Sequence, residues 1–107
     1  MKRESALVSA LLAGIALSSG AQAALDGAAL YKDKTCNACH GADGNKALMP
    51  DYPKIAGQNK AYLIKQIKDI KSGARANGNS AAMKGVMHLV SDAEIEAIAD
   101  HVSKLKP

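Results

Sequence analysis

The chain has 107 residues, 14 Lys+Arg against 10 Asp+Glu, two cysteines, three tyrosines, and neither Phe nor Trp. That length excludes more than one small domain. The scarcity of aromatic side chains excludes a core of the usual aromatic kind.

The first segment is not expected to belong to the fold. Lys2 and Arg3 make a basic start, residues 6–17 are an uncharged and mostly apolar run, and Ala21-Gln22-Ala23 ends it with small residues where a signal peptidase reads. The run suits a secretory leader and falls short of the roughly 20 residues a membrane-spanning helix needs. An uncleaved amphipathic or anchoring helix is the competing reading, and the A-x-A end and the polar shift at Asp26 speak against it. Cleavage after Ala23 leaves twelve basic against nine acidic residues, a formal +3 over residues 24–107. The expected product is a soluble periplasmic domain without stable membrane insertion. A chain this short usually needs a disulfide, a metal or a cofactor to complete its core. Cys36 and Cys39 are too close in sequence to constrain much of the unfolded chain as a disulfide.

Asp26 is placed to cap a short helix from about Gly27 to Lys34, with Ala28, Leu30 and Tyr31 as apolar positions. Thr35 to Gln58 is rich in Gly, Asn, Asp and Pro, and reads as an irregular stretch that wraps something. Asn59 then caps a predicted helix from Lys60 to about Ser72, with Tyr62, Leu63, Ile67 and Ile70 at helical spacing and Gly73 as its stop. Its lysines fall mostly outside that stripe and read as a solvated face. A polar segment, Arg75 to Ser80, leads into Ala81 to His88, which is given no regular structure. Ser91 and Glu94 spell a capping box, Val90 can staple onto Ile95, and Ile95, Ile98, Ala99, Val102 and Leu105 mark one face of a last helix. Three helices without strands predict an all-α domain.

The chemistry lies in Cys36-Asn37-Ala38-Cys39-His40, a C-x-x-C-H sequence, the signal for covalent haem attachment. Two thiols on one helical turn can add to the two vinyl groups of a haem, and His40 then offers its imidazole to the iron. A structural zinc site would need further ligands of the right spacing, and the chain has no other cysteine. A thioredoxin-like pair would sit among strands and helices, which this sequence lacks. One haem c therefore accounts for both the cysteine pair and the missing core, since its apolar macrocycle supplies burial at about 25 cal/mol per Å².

The sixth ligand separates an electron carrier from a ligand binder, because an iron already holding His and Met does not readily take dioxygen or peroxide. Met49, Met83, Met87, His88 and His101 are the candidates. Met49 stands only nine residues after His40 and reads as a loop residue at the haem edge. His101, on the last helix, reads as a flanking or surface histidine. Met87 and Val86 read as packing beneath the ring. Met83 follows a polar loop and precedes Gly85, where the backbone can pass close to the ring, and is the preferred ligand.

The order of leader, short helix, C-x-x-C-H, turn-rich loop, amphipathic helix, methionine and capped last helix resembles the class I cytochromes c. Cys36 through Asn45, Pro53 through Gln58 with Tyr62, and Met83-Lys84-Gly85-Val86 leading to Ser91-Asp92-Ala93-Glu94 are similar to small monohaem bacterial cytochromes of the c-553 type and to each half of the dihaem cytochromes. The resemblance covers residues 25–105. It implies a class I cytochrome c fold, with first and last helices crossing. It also implies Met83 as the distal ligand, since in the family that methionine stands eight residues before the cap serine. Pro53, Ile55 and Gly57 would line the haem pocket, with Tyr62 near the haem. Tyr52 stands where relatives often carry phenylalanine.

The expected function is one-electron transfer through His40/Met83-ligated haem between respiratory or periplasmic redox proteins, without enzymatic chemistry. Lys34, Lys46, Lys54 and Lys84 could form a basic rim that steers an acidic partner, or could simply be solvated. The alternatives are a haem sensor or peroxidase-like protein with a displaceable sixth ligand, and a fixed relay subunit of a larger redox enzyme. Nucleic-acid binding has no support in an exported chain without a basic patch interleaved with aromatics.

Overall fold

The computed structural model describes residues 25–107. The expected leader and its cleavage point at Ala23 lie outside the described residues. Those residues form five helices and no strand: α1 (Gly27–Asp33), α2 (Cys36–His40), α3 (Lys60–Ser72), α4 (Ser80–Met87) and α5 (Asp92–Ser103).

The three expected helices stand where their capping residues put them. Ala28 and Ala29 N–H donate to Asp26 Oδ1 at 3.0 and 3.2 Å, which satisfies the otherwise unpaired first-turn donors of α1. Tyr62 N–H donates to Asn59 Oδ1 at 3.1 Å at the start of α3, and Gly73 ends that helix in left-handed backbone at φ 89. At α5 the box is reciprocal: Glu94 N–H donates to Ser91 Oγ at 3.2 Å, and Ser91 N–H donates to Glu94 Oε1 at 2.9 Å.

Two further helices are added to the expected three. The C-x-x-C-H segment is itself one helical turn, α2. The segment from Ser80 to Met87, given no regular structure in advance, is α4. Its apolar residues Met83, Val86 and Met87 do follow helical spacing, but eight residues with a central glycine are too few for periodicity to decide.

Helix α5 is the spine of the fold, packing against α1 on one side and α3 on the other, while α4 packs on α3 and α2 on α1. The core joins Leu63, Ile67 and Ile70 of α3 to Ile95, Ile98, Ala99 and Val102 of α5, with Tyr31, Met87 and Val90 completing it. Tyr62, part of the predicted α3 stripe, is 53% exposed and stands outside that core. The crossing of α1 with α5 depends on Gly27: a Cβ there would stand 2.1 Å from the Ala97 carbonyl oxygen. The lysines of α3 do more than face solvent. Lys60 pairs with Asp100 at 3.4 Å, Lys65 with Asp69 at 3.0 Å, and Lys71 donates to the Val90 carbonyl.

Candidate haem site

Helix α2 reaches the site through a sharp reversal. Thr35, between α1 and α2, holds left-handed backbone at φ 64, the only non-glycine to do so among the described residues. A β-branched residue there costs about 1–3 kcal/mol. The reversal folds α2 back on α1, where the Tyr31 hydroxyl donates to the Gly41 carbonyl at 2.7 Å. Burial above all, with smaller contributions from the charges of Cys36 and Asp43, pushes the Tyr31 phenol up to about 12. Gly41 ends α2 at φ 85, where a Cβ would meet the Lys46 carbonyl oxygen at 2.5 Å.

Cys36, Cys39 and His40 of α2 line a single cavity of about 380 Å³, a size proper to cofactor sites. Both cysteines are free and half-buried, and burial raises the Cys36 thiol above its ordinary value. His40 is 8% exposed. Its Nδ1 lies 3.1 Å from the Pro53 carbonyl oxygen. Because a carbonyl can only accept, Nδ1 carries the proton, so in the neutral ring Nε2 holds the lone pair, the arrangement of a metal-ligating histidine.

Met83, Val86 and Met87 of α4 line the same cavity. Helices α2 and α4 make no contact with each other, so the cavity is what separates them. Met49, His88 and His101 do not line it. Met49 is 48% exposed, His88 is exposed, and His101 packs against the Tyr31 ring in a tilted arrangement, centroids 5.6 Å apart. Of the five candidate sixth ligands, Met83 and Met87 therefore face the space that His40 faces.

The loop before α3 supplies Tyr52, Pro53 and Ile55 to the wall, and Tyr62 stands at the exposed margin. Gly57 does not line the cavity. It takes φ 75, and its N–H donates to the Val102 carbonyl at 3.0 Å, so it fastens the loop to the end of α5 beside Pro107. Gly85 also lies away from the cavity: it is exposed and borders an outer groove with Asp33, Lys34, Thr35, Val86 and Leu89.

One lining residue was not singled out from the sequence. Arg75, the only arginine of the described residues, borders the cavity, donating from Nη1 to Gln66 Oε1 at 3.1 Å and from Nε to Asn77 Oδ1 at 3.4 Å. In the sequence it belongs to a polar connector, and nothing in its local spacing tells which way it turns. Asn79, also on the rim, donates to Asp51 and so ties the start of α4 to the loop.

The donor set fits haem c. Two free thiols and a histidine with an uncommitted nitrogen share one wall, core aliphatics and two methionines form others, and the Arg75 guanidinium borders the same cavity.

The comparisons agree with this reading. The cytochrome c family model matches residues 24–106. The chain is similar to cytochrome c-553 of Nitratidesulfovibrio vulgaris, 38% identical over 99 residues that cover 92% of this chain and 95% of that protein. It is 42% identical over 101 residues to cytochrome c4 of Pseudomonas aeruginosa, covering 94% of this chain and 48% of the relative, and so spans about half of that protein. The reduced recombinant cytochrome c4 of Pseudomonas stutzeri superposes at a TM-score of 0.61 with 35% identity, over 66% of this chain and 38% of that one. The chain thus belongs to the cytochrome c family, all-α electron-transfer proteins that carry covalently attached haem c.

Proposed function

We propose that the protein is a periplasmic one-electron carrier in which Cys36 and Cys39 hold the haem by thioethers and His40 and Met83 are the axial ligands. The observation that carries the reading is that His40 and Met83 border one cavity from two helices that do not touch, with His40 Nδ1 committed to the Pro53 carbonyl. When bound, the haem supplies an iron centre that gains and loses one electron.

The chain's own residues do the rest. Pro53 fixes the tautomer and ring plane of His40 through its carbonyl. Met83 has the chemistry of the second ligand, and Met87, 4% exposed, keeps water from the space beneath it. Ile55, Leu63 and Ile67 exclude solvent from the cavity interior, which favours the less charged, reduced state. Arg75 is placed to neutralise carboxylates at the rim and to draw the potential upward. No described helix is long and apolar enough to cross a membrane, and the sequence of residues 1–23 supports export.

Transient redox proteins are the partners that fit. Lys46, Lys54 and Lys84 are exposed, whereas Lys34 is half-buried and already engaged with Glu94 at 3.6 Å. Steering of an acidic partner therefore rests on the first three, and electron-transfer rates should fall with rising ionic strength. Rates independent of salt would leave those lysines as solvated side chains.

The test is addition of carbon monoxide to the reduced holoprotein. A carrier with both axial positions filled leaves its spectrum unchanged. Ready binding would turn the reading toward a sensor or peroxidase-like protein.

A further inference from the structure

The corner between α4 and α5 is held by side chains from three other places in the fold. Lys34, just past α1, donates from Nζ to the Leu89 carbonyl at 3.2 Å. Lys71, in the last turn of α3, donates from Nζ to the Val90 carbonyl. Glu94 of α5 accepts from the next N–H, that of Ser91, and its second oxygen faces Lys34 Nζ at 3.6 Å. Three consecutive residues, 89 to 91, thus have a backbone polar group fixed by a charged side chain.

Leu89 and Val90 lie between the end of α4 and the cap of α5, where their carbonyls belong to no helical ladder, and charged donors to such carbonyls are the strong kind of hydrogen bond. The consequence reaches the site. Val90 is 1% exposed and lines the cavity, as do Met87, Val86 and Met83 of the helix that ends there. Met83 itself is only half-buried, and Gly85 lies between it and the corner. The helix that carries it is short, so its placement depends on how its ends are held.

We propose that Lys71, together with Lys34, is a positioning residue for the sixth ligand: by pinning the Val90 and Leu89 carbonyls the two ammonium groups hold α4 against the cavity and keep Met83 on the iron. The inference rests on the His40/Met83 reading. Neither lysine touches the haem site itself, since neither lines the cavity. Their effect is on how readily the methionine leaves.

The experiment titrates the oxidised holoprotein with imidazole, which must displace the sixth ligand to bind, and follows the optical spectrum. Lys71→Met keeps the alkyl stem and removes the ammonium, and its imidazole affinity should rise about tenfold. Lys71→Arg restores a cation in reach of the carbonyl and should return affinity toward wild type. Lys65→Met, on the same helix but paired only with Asp69, should leave it unchanged. A lysine that merely stabilised the fold would lower the temperature of helix loss without moving imidazole affinity measured well below it. Unchanged affinity in Lys71→Met, no restoration by Lys71→Arg, or an equal rise in Lys65→Met would overturn the positioning role. The ligand assignment is checked separately: if the wild-type sulfur-to-iron absorption band survives Met83→Ala, the His40/Met83 reading fails. If that band is lost in Met83→Ala while Lys71→Met binds imidazole as wild type does, the positioning role alone fails.

Discussion

At the scale of single residues, Tyr31 links the first helix to the haem-binding turn and makes a pH dependence that can be measured. Burial, a cause that thioether formation at Cys36 leaves in place, is the chief reason its phenol stands at about 12 in the folded protein against about 10 in an unfolded chain. Below pH 10 both states are protonated and the contribution is fully present. Between about pH 10 and 12 only the unfolded state loses the proton, so stability falls as pH rises through that window. Denaturant unfolding of the holoprotein at pH 9 and pH 11 should show this drop. Tyr31→Phe should lessen it while costing about 1 kcal/mol at pH 9 for the lost hydrogen bond to Gly41. An equal drop in the variant would assign the effect to other groups.

Arg75 belongs to the same scale. Arg75→Gln removes a cation from the rim and is expected to lower the reduction potential, read by spectroelectrochemistry. Cys36, Cys39 and His40 were legible because their spacing is the chemistry. Arg75 was not, because its role depends on a turn after Gly73 that brings it back over Gln66. Gly57 was misplaced for a related reason: a glycine in a pocket-lining stretch can serve the packing behind the pocket, here against Pro107 and Val102.

At the scale of elements, caps and close contacts decide the geometry. Gly27→Ala would drive a methyl into the Ala97 carbonyl, which backbone cannot easily yield. The expected loss exceeds the roughly 1–3 kcal/mol typical of overpacking and should appear in thermal unfolding of the holoprotein. At the other end of α5, Ser91→Ala removes a cap worth about 1 kcal/mol. Hydrogen bonding from the Ser91 backbone holds the Glu94 carboxyl below its ordinary value, with the Ser91 hydroxyl and Lys34 adding to this. Stability from that carboxylate is present above the unfolded carboxylate range and lost as pH falls through the lower folded value. Glu94→Gln should therefore reduce the acid sensitivity of the α4–α5 corner. The helices α1, α3 and α5 were legible because each has a cap residue followed by a long enough apolar stripe. The single turn of α2 follows from the C-x-x-C-H spacing, whereas α4 was not legible, since eight residues carry too little pattern. Their placement comes from the Thr35 reversal and from packing on α1 and α3.

For the whole molecule, the described core is a small set of aliphatic side chains with one tyrosine, and its cavity is lined by much of that same core. Ile95, Ile98, Ala99 and Val102 of α5 face both the other helices and the cavity. The haem thus completes the core as well as carrying the electron, and the apoprotein should be largely unfolded. A Cys36→Ala, Cys39→Ala double variant is expected to lose most of its helical circular dichroism, and a stable helical spectrum would show that the protein part folds alone. The central claim is that His40 and Met83 together occupy the iron, and it is tested most directly by the weak near-infrared sulfur-to-iron band of the oxidised holoprotein. The account predicts that band in the wild type and its disappearance in Met83→Ala. A wild-type protein without it, or a Met83→Ala variant that keeps it, would contradict the account and return Met83 to the role of a packing residue.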